Sequence, residues 1–293
     1  MSPRRNARAI SPRAPAHRPS TRGRTRALGQ HFLRDRSVAD RIVELVVPGP
    51  RDLVVEIGPG RGALTDALAA RSGRLLALEI DATFMDGLRE RFGATSHVEI
   101  RHADARRFDY ATLRGLRPDP AGRVLVVGNL PYSVGKPILA ALVEAGPAID
   151  EMALMLQREV AERVAARPGS KTYGALSVLT QVAAFVRLAF TVPPGAFSPP
   201  PQVESAVLHL KPYEQPPVPV ADPAHFASVV RAAFGQRRKS LANALASGLG
   251  LATERARALV EAAGIDPGRR AETLSLAEFA RLAQAHHIPS SRA

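Results

Sequence analysis

The segment Arg123-Val-Leu-Val-Val-Gly-Asn-Leu-Pro-Tyr132 decides the fold. Its apolar run, Val124–Val127, predicts a short buried strand that breaks at Gly128. Pro131 lacks a backbone N–H and disfavours helical geometry at Leu130, so the chain is expected to leave the sheet in an extended conformation.

Two side chains of chemical interest follow this strand. The Asn129 amide and the Tyr132 ring are expected at its carboxyl end, where open α/β sheets bind ligands. The amide oxygen and a free backbone carbonyl can accept both hydrogen bonds of an NH₂ group on a planar heterocycle, while the ring stacks on its face. A strand-terminating turn with a structural tyrosine explains the same residues equally well, so the rest of the chain must distinguish the two.

The surrounding pattern predicts an α/β protein with a doubly wound, mostly parallel sheet of seven strands, because strands and helices alternate. Ser37 is the expected N-cap of the first helix. The predicted strands are Asp52–Ile57, Leu75–Ile80, Val98–Arg101, Val124–Val127, Met152–Leu156, Phe185–Val192 and Val203–Leu210.

Composition limits the class of protein. The 293 residues suffice for two domains, no apolar run is long enough to span a bilayer, and no signal-peptide pattern opens the chain. The absence of cysteine excludes disulfides and thiolate zinc sites and favours a cytoplasmic setting. The net charge of +13 indicates a polyanionic partner.

The charge is concentrated at the amino terminus. Residues 1–26 contain eight arginines and no acid, which leaves +5 (13 minus 8) for the remainder. Four prolines forbid a continuous helix there and predict a disordered basic tail, either RNA-contacting or without function. The prolines also argue against an organelle transit peptide.

A glycine-rich turn follows the first long strand. Gly58, Gly60 and Gly62 allow close backbone approach to a ligand. Gly58, Gly60 and Ala63 also match the dinucleotide-binding form, with Glu79 about 20 residues on for a ribose hydroxyl, so a nicotinamide enzyme is a real alternative at this point.

Two further strand ends favour a different ligand. Asp104 follows the third strand and Asn129 the fourth, so Gly58, Glu79, Asp104 and Asn129 are expected along one sheet edge. That edge suits an adenosine with a small polar tail in place of a pyrophosphate, a description that S-adenosylmethionine meets.

Seven motifs together point to one family. They are Leu28-Gly-Gln-His-Phe-Leu33, Val55-Glu-Ile-Gly-Pro-Gly60, Gly128-Asn-Leu-Pro-Tyr132, Leu156-Gln-Arg-Glu-Val160, Gly169-Ser-Lys-Thr-Tyr-Gly174, Ala196-Phe-Ser-Pro-Pro-Pro201 and Phe234-Gly-Gln-Arg-Arg-Lys239. With these motifs the chain closely resembles the rRNA adenine N6-dimethyltransferase family, of the small-subunit type, from Leu28 to Ala285. The resemblance implies a methyltransferase that converts two adjacent adenosines near the 3′ end of small-subunit rRNA to N6,N6-dimethyladenosine.

The resemblance also implies roles for individual residues. Asn129, Leu130, Pro131 and Tyr132 would hold the target adenine, with Phe197 stacking on it. The family usually has Asn at position 31, whereas this chain has histidine, whose imidazole can still donate a hydrogen bond. The implied contacts to S-adenosylmethionine are His31, Leu33, Gly58, Glu79, Asp104 and Asn129.

The implied organisation is a methyltransferase domain and a small all-α domain. RNA contacts are expected from Arg237, Arg238 and Lys239, and to a lesser extent from Arg269-Arg270. The expected protein is a monomer that uses no metal and acts on the small ribosomal subunit. The predicted segments are a tail (1–26), the methyltransferase domain (27–213), a linker (214–223), the helical RNA-binding domain (224–286) and a second tail (287–293).

Three other functions remain open from the sequence. A large-subunit rRNA adenine methyltransferase of the macrolide-resistance type is the nearest, and the Arg237 cluster and the helical region argue for the small-subunit enzyme. A nicotinamide dehydrogenase leaves residues 129–132 and Phe197 without a role. A ribosome-assembly factor that binds without catalysis is compatible with the same motifs.

Overall fold

The protein is described by a computed structural model that covers residues 31–287. The predicted basic tail (1–26) and positions 288–293 lie outside the described residues. Within the described range, no helix combines the length and the apolar character needed to cross a membrane.

A seven-stranded sheet forms the centre of the fold, in the order β4-β3-β2-β5-β6-β9-β7. Only β9 runs against the others, since it pairs antiparallel with both β6 and β7. The predicted mostly parallel, methyltransferase-type α/β sheet is therefore confirmed. The strands are β1 (Phe32–Leu33), β2 (Leu53–Ile57), β3 (Arg74–Glu79), β4 (Val98–His102), β5 (Val124–Asn129), β6 (Glu151–Gln157), β7 (Ala184–Val192), β8 (Phe197–Ser198) and β9 (Ser205–Pro212).

Helices cover both faces of the sheet. Val126 and Leu154 pack on one face together with Ile138, while Leu125 packs on the other together with Ile42. Successive strand residues alternate between these two cores, as the period of a strand requires. The helices are α1 (Arg36–Val46), α2 (Ala63–Ala69), α3 (Ala82–Phe92), α4 (Gly135–Glu144), α5 (Arg158–Val164), α6 (Ala175–Gln181), α7 (Pro223–Phe234), α8 (Leu241–Leu249), α9 (Thr253–Ala262) and α10 (Leu276–His287).

The predicted N-cap of the first helix is wrong by two positions. Asp35, and not Ser37, has extended backbone angles, and its Oδ1 accepts hydrogen bonds from the backbone N–H groups of Ser37 (3.0 Å) and Val38 (3.4 Å). Aspartate and serine are comparable caps, so residue type alone did not separate them.

The predicted break of the central strand at Gly128 is also wrong, because β5 continues through Asn129. A Cβ atom on Gly128 would lie 2.9 Å from the Ile57 carbonyl oxygen and 3.2 Å from the Leu130 side chain. The glycine is therefore needed for close packing inside the sheet, and Asn129 is held by strand pairing with Met155.

A third core joins the carboxyl-terminal helices. Phe226, Leu245 and Phe279 from α7, α8 and α10 pack with Val178 from α6. Residues 213–222, which contain neither helix nor strand, connect β9 to α7. The helical core thus includes a helix that precedes the linker in sequence.

A short ribbon lies beside the main sheet. β1 pairs antiparallel with β8, so that Phe32 lies opposite Ser198 and Leu33 opposite Phe197. The ribbon brings residues 32–33 against the Pro-rich loop that joins β7 to β9. Both segments lie close to the carboxyl end of β5, because the His31 carbonyl contacts Asn129.

Candidate functional site

A cavity of about 180 Å³ lies at the carboxyl ends of the parallel strands. Its apolar wall includes Phe32, Leu78 and Ile138. The position is where open α/β sheets bind ligands. The cavity brings together the predicted site residues His31, Gly58, Glu79, Asp104, Asn129, Leu130, Pro131 and Tyr132.

Glu79 both lines the cavity and shapes the glycine turn. Its Oε2 accepts a hydrogen bond from the Gly60 N–H (3.0 Å), and its Oε1 accepts one from the Asp81 N–H (2.8 Å). The side chain is buried, and burial raises its pKa although these two bonds oppose the effect. Gly60 has φ +53°, and a Cβ there would lie 3.0 Å from the Phe32 ring. The turn therefore requires glycine at position 60.

Asp104 lies at the end of the cavity beyond β4. Its carboxylate accepts two hydrogen bonds from Arg106, from Nε to Oδ1 at 3.0 Å and from Nη2 to Oδ2 at 2.6 Å. The hydrogen bonds from Arg106 hold the pKa of Asp104 below its usual range. The carboxylate thus stays ionised and can accept a further hydrogen bond in the plane of an amine-bearing ring.

Asn129 is oriented by the ribbon. Its Nδ2 donates to the His31 carbonyl oxygen at 2.9 Å, which leaves the carboxamide oxygen as the acceptor for a ligand. The Leu130 N–H donates to Met155 (3.0 Å), and the Pro131 carbonyl accepts from Val134 (3.1 Å), so the loop that follows is held by backbone bonds at both ends. The backbone of this loop is therefore anchored where Asn129, Leu130, Pro131 and Tyr132 line the cavity.

Tyr132 also lines the cavity. Its hydroxyl shares a hydrogen bond of 2.6 Å with Ser205 Oγ. Its ring lies 5.3 Å from the His31 ring at 41°, and His31 Nδ1 lies 2.9 Å from the Pro199 carbonyl oxygen. The structure thus places the imidazole between the tyrosine and the Pro-rich loop.

Two predicted residues lie away from the main cavity. Leu33 is buried and lines a small adjoining cavity of about 20 Å³ together with Gly58 and Asn129. Phe197 is only 2 % exposed and packs in the core, because β8 pairs with β1 and turns the ring inward. The prediction that Phe197 stacks on a bound base does not fit this position.

Sequence reasoning missed Glu56. This residue of β2 is 1 % exposed, lines the small cavity, and its Oε2 has no hydrogen-bond partner within residues 31–287. Burial raises the pKa of Glu56 to about 8, opposed in part by nearby Thr65 and reinforced by the charges of Glu79 and Asp66. A glutamate inside the apolar run Leu-Val-Val-Glu-Ile was the available signal, since charged residues are seldom fully buried without a partner.

The predicted RNA-contact cluster lies between α7 and α8, and all three of its side chains are exposed. Arg237 Nη2 donates to the Lys171 carbonyl oxygen at 2.5 Å and lies 3.6 Å from Glu272 Oε2. Arg237 therefore tethers the loop before α6 to the helical core, whereas Arg238 and Lys239 present their charges to solvent. Among the described residues, no group of three or more histidine or acidic side chains could hold a metal ion.

Comparisons with known proteins agree with this geometry. The chain is 44 % identical to "Ribosomal RNA small subunit methyltransferase A" of Chromohalobacter salexigens over 96 % of both chains. Its structure is similar to that of a dimethyladenosine transferase from Plasmodium falciparum, with a TM-score of 0.72 and 21 % identity over 86 % of this chain and 96 % of the other. It is also similar to the 23S rRNA methyltransferase ErmE, with a TM-score of 0.65 and 27 % identity over 87 % and 98 %. The sequence model of the family described as "Ribosomal RNA adenine dimethylase" matches residues 22–287, and the chain belongs to this family.

Proposed function

We propose that this protein transfers methyl groups from S-adenosylmethionine to N6 of two adjacent adenosines near the 3′ end of small-subunit rRNA, forming N6,N6-dimethyladenosine. The observation that carries the proposal is the neutral acceptor set at the end of β5. There Asn129, Leu130 and Tyr132 line one cavity, and the bond from Asn129 Nδ2 to the His31 carbonyl leaves the carboxamide oxygen as an acceptor. This set matches the N6 amine and the face of an adenine that has left its stack.

Other residues that line the cavity suit the methyl donor. Asp104 would accept the exocyclic amine of the donor's adenine, and Glu79 its ribose hydroxyls, beside the close backbone approach at Gly58. The methionyl tail would extend toward the small cavity lined by Leu33 and Glu56. Glu56 Oε2, which has no hydrogen-bond partner within residues 31–287, is a suitable acceptor for the ammonium group of that tail.

The chemistry requires positioning more than activation. A sulfonium methyl is already electrophilic, whereas the N6 lone pair of adenine is delocalised into the ring. Hydrogen bonds from N6–H to Asn129 and Leu130 would localise the lone pair, and Tyr132 would hold the ring so that N6 lies in line with the S–CH₃ bond. The proton then leaves to water after the methyl group has moved. Each transfer leaves S-adenosylhomocysteine, which must be exchanged for a new S-adenosylmethionine. In the second transfer N6-methyladenine has one N–H left, which would donate to either Asn129 or Leu130.

The small subunit is favoured over the large one as the source of RNA. Identity to the small-subunit relative is 44 % over nearly the whole of both chains, against 27 % to the 23S rRNA enzyme. Exposed Arg238 and Lys239 would contact phosphates of the folded RNA. We assign the reaction to a monomer in the cytoplasm, where small subunits mature.

Methylation of purified subunits tests the proposal. The full chain is incubated with tritiated S-adenosylmethionine and either unmethylated small subunits or large subunits, and the products are identified as nucleosides by mass spectrometry. We expect dimethyladenosine in the small subunit only, and Asn129→Ala to slow transfer about 100-fold because the amine loses its alignment. Asn243→Ala, an exposed asparagine of α8, serves as the matched control.

Two results would contradict the proposal. The first is label in large-subunit RNA with none in the small subunit. The second is an Asn129→Ala variant that transfers methyl groups at the rate of the control. Calorimetric binding of S-adenosylmethionine to the same variants shows whether any loss comes from the donor or from the acceptor.

A further inference from the structure

The geometry points to Ser205 as a positioning residue of the methyl transfer, which acts by tethering the Tyr132 ring that clamps the target base. The inference rests on the proposed function, since it assigns Tyr132 to the adenine. Ser205 does not line the cavity and is itself fully buried, so its effect must pass through Tyr132.

The contact between the two side chains is direct. Tyr132 Oη and Ser205 Oγ lie 2.6 Å apart, a normal distance for a hydrogen bond between two hydroxyl groups. Burial raises the pKa of Tyr132 and the bond to Ser205 lowers it only in part, so the phenol stays protonated around neutral pH. The tether is therefore a neutral hydrogen bond that does not change with pH in the working range.

Ser205 is a fixed anchor. It is the first residue of β9 and pairs with Gln157 of β6 on one side and with Val192 of β7 on the other. A residue paired on both sides in the interior of a sheet cannot shift without disturbing two ladders. Its hydroxyl is therefore held at a constant position behind the cavity.

Tyr132, in contrast, belongs to a loop. It lies between β5 and α4, it is half-buried, and its ring has one other aromatic neighbour among the described residues, His31 at 5.3 Å. Two side-chain torsions must be fixed for the ring to present a constant face. Ser205, which is 73 residues away in sequence, fixes the hydroxyl end of the ring through its hydrogen bond.

Loss of this tether would misalign the base without removing it. A misplacement of the order of 1 Å can cost about 100-fold in rate, and one neutral hydrogen bond accounts for about tenfold. We therefore expect Ser205→Ala and Tyr132→Phe each to slow single-turnover transfer to small subunits about tenfold. Affinity for S-adenosylmethionine should stay unchanged, because the two hydroxyls bond to each other and Ser205 does not line the cavity.

A double-mutant cycle tests the coupling. If the two hydroxyls act only through each other, the Ser205→Ala, Tyr132→Phe double variant is no slower than the slower single variant. Ser205→Thr, which keeps the hydroxyl, should recover the rate to within about threefold of wild type. Ser72→Ala is the matched control, because it removes another buried serine hydroxyl, one that donates to the Leu68 carbonyl at 2.8 Å.

A second readout needs no substrate. The chain has four tyrosines, so tyrosine labelled with ¹³C at Cζ yields four NMR signals, and Tyr132→Phe assigns the one of interest. Ser205→Ala should move the Tyr132 signal alone and raise the pKa of Tyr132 further, since the lost bond lowered it. Ser72→Ala should leave all four signals in place.

Three results would overturn the inference. They are a Ser205→Ala rate within twofold of wild type, a double variant whose slowing is the product of the two single effects, and a Tyr132 signal that Ser205→Ala does not move. If wild type fails to methylate small subunits, the proposed function fails, while the NMR measurement still decides whether the tether exists.

Discussion

The buried carboxyl of Glu56 predicts an unusual dependence of stability on pH. Glu56→Gln replaces a fully buried acid by a neutral side chain of nearly the same shape. Because Glu56 Oε2 has no hydrogen-bond partner within residues 31–287, the amide loses no existing bond there. The substitution therefore isolates the free energy of ionising this one group.

The sign follows from proton linkage. The pKa of Glu56 is about 8 in the folded protein, against a usual value of 4.5, so the folded state binds more protons than the unfolded state between these values. Stability falls as pH rises through this window and levels off above about 8. Raising a pKa from 4.5 to about 8 corresponds to about 5 kcal/mol, at about 1.4 kcal/mol per pH unit, as an upper limit.

Urea unfolding of the full chain measures this effect. We expect the free energy of unfolding of Glu56→Gln, relative to wild type, to rise by about 2–5 kcal/mol between pH 5 and pH 8.5. The control is Glu99→Gln on β4. Although desolvation opposes them, hydrogen bonds from Arg101 and Arg74 hold the pKa of Glu99 below its usual range. That variant should show no gain in relative stability at high pH.

A difference between Glu56→Gln and wild type that stays constant from pH 5 to pH 8.5 would refute the reasoning. It would mean that Glu56 ionises at an ordinary pH in the folded protein. In that case the carboxyl must have solvent or a partner within reach, and its burial beside the small cavity would not explain its chemistry.

Three further predictions concern Asp104 and the cluster Arg237–Lys239. Asp104→Ala should weaken S-adenosylmethionine binding about tenfold in calorimetry, because a charged acceptor in the cavity is lost. The control is Asp86→Ala, which removes an exposed aspartate and should bind with wild-type affinity. Equal affinities of the two variants would show that Asp104 does not contact the donor. Arg238→Glu with Lys239→Glu should weaken binding to small subunits and reduce the slope of affinity against salt by about 2 in filter-binding assays. If the double variant leaves the salt slope unchanged, Arg238 and Lys239 do not contact the RNA. Arg237→Ala should lower the melting temperature, because it breaks the contact to Lys171.

The parts of the fold set by local pattern could be predicted from sequence. Apolar runs such as Val124–Val127 and the glycines that follow β2 are signals within a few residues, and the structure agrees with the sheet that they predict. The error at Gly128 arose because glycine in a strand has two explanations, a break or a close approach. The distance of 2.9 Å between a Cβ placed on Gly128 and the Ile57 carbonyl oxygen shows that here the reason is close approach.

The site could not be predicted from sequence where it depends on contacts between residues that are far apart in the chain. Phe197 was expected to face the cavity, but its orientation follows from the pairing of β8 with β1, which no periodicity reveals. The bonds from Asn129 to His31 and from Tyr132 to Ser205 join residues 98 and 73 positions apart. Glu56 left a signal in the sequence, but its meaning depends on complete burial, which is a property of the folded sheet.

The carboxyl groups along the sheet edge belong to the contacts proposed for the methyl donor and not to those proposed for the target base. On the side of the acceptor base, Asn129 carries no ionisable group, and burial raises the pKa of Tyr132 away from neutrality. On the side of the donor, burial raises the pKa of Glu79 and brings that of Glu56 to about 8. Titration of Glu56 would therefore change the charge of a group proposed to hold the cationic donor, whereas Asn129 and Tyr132 stay neutral. If the proposed site is right, we expect pH to change the affinity for the methyl donor more than the rate of the transfer step.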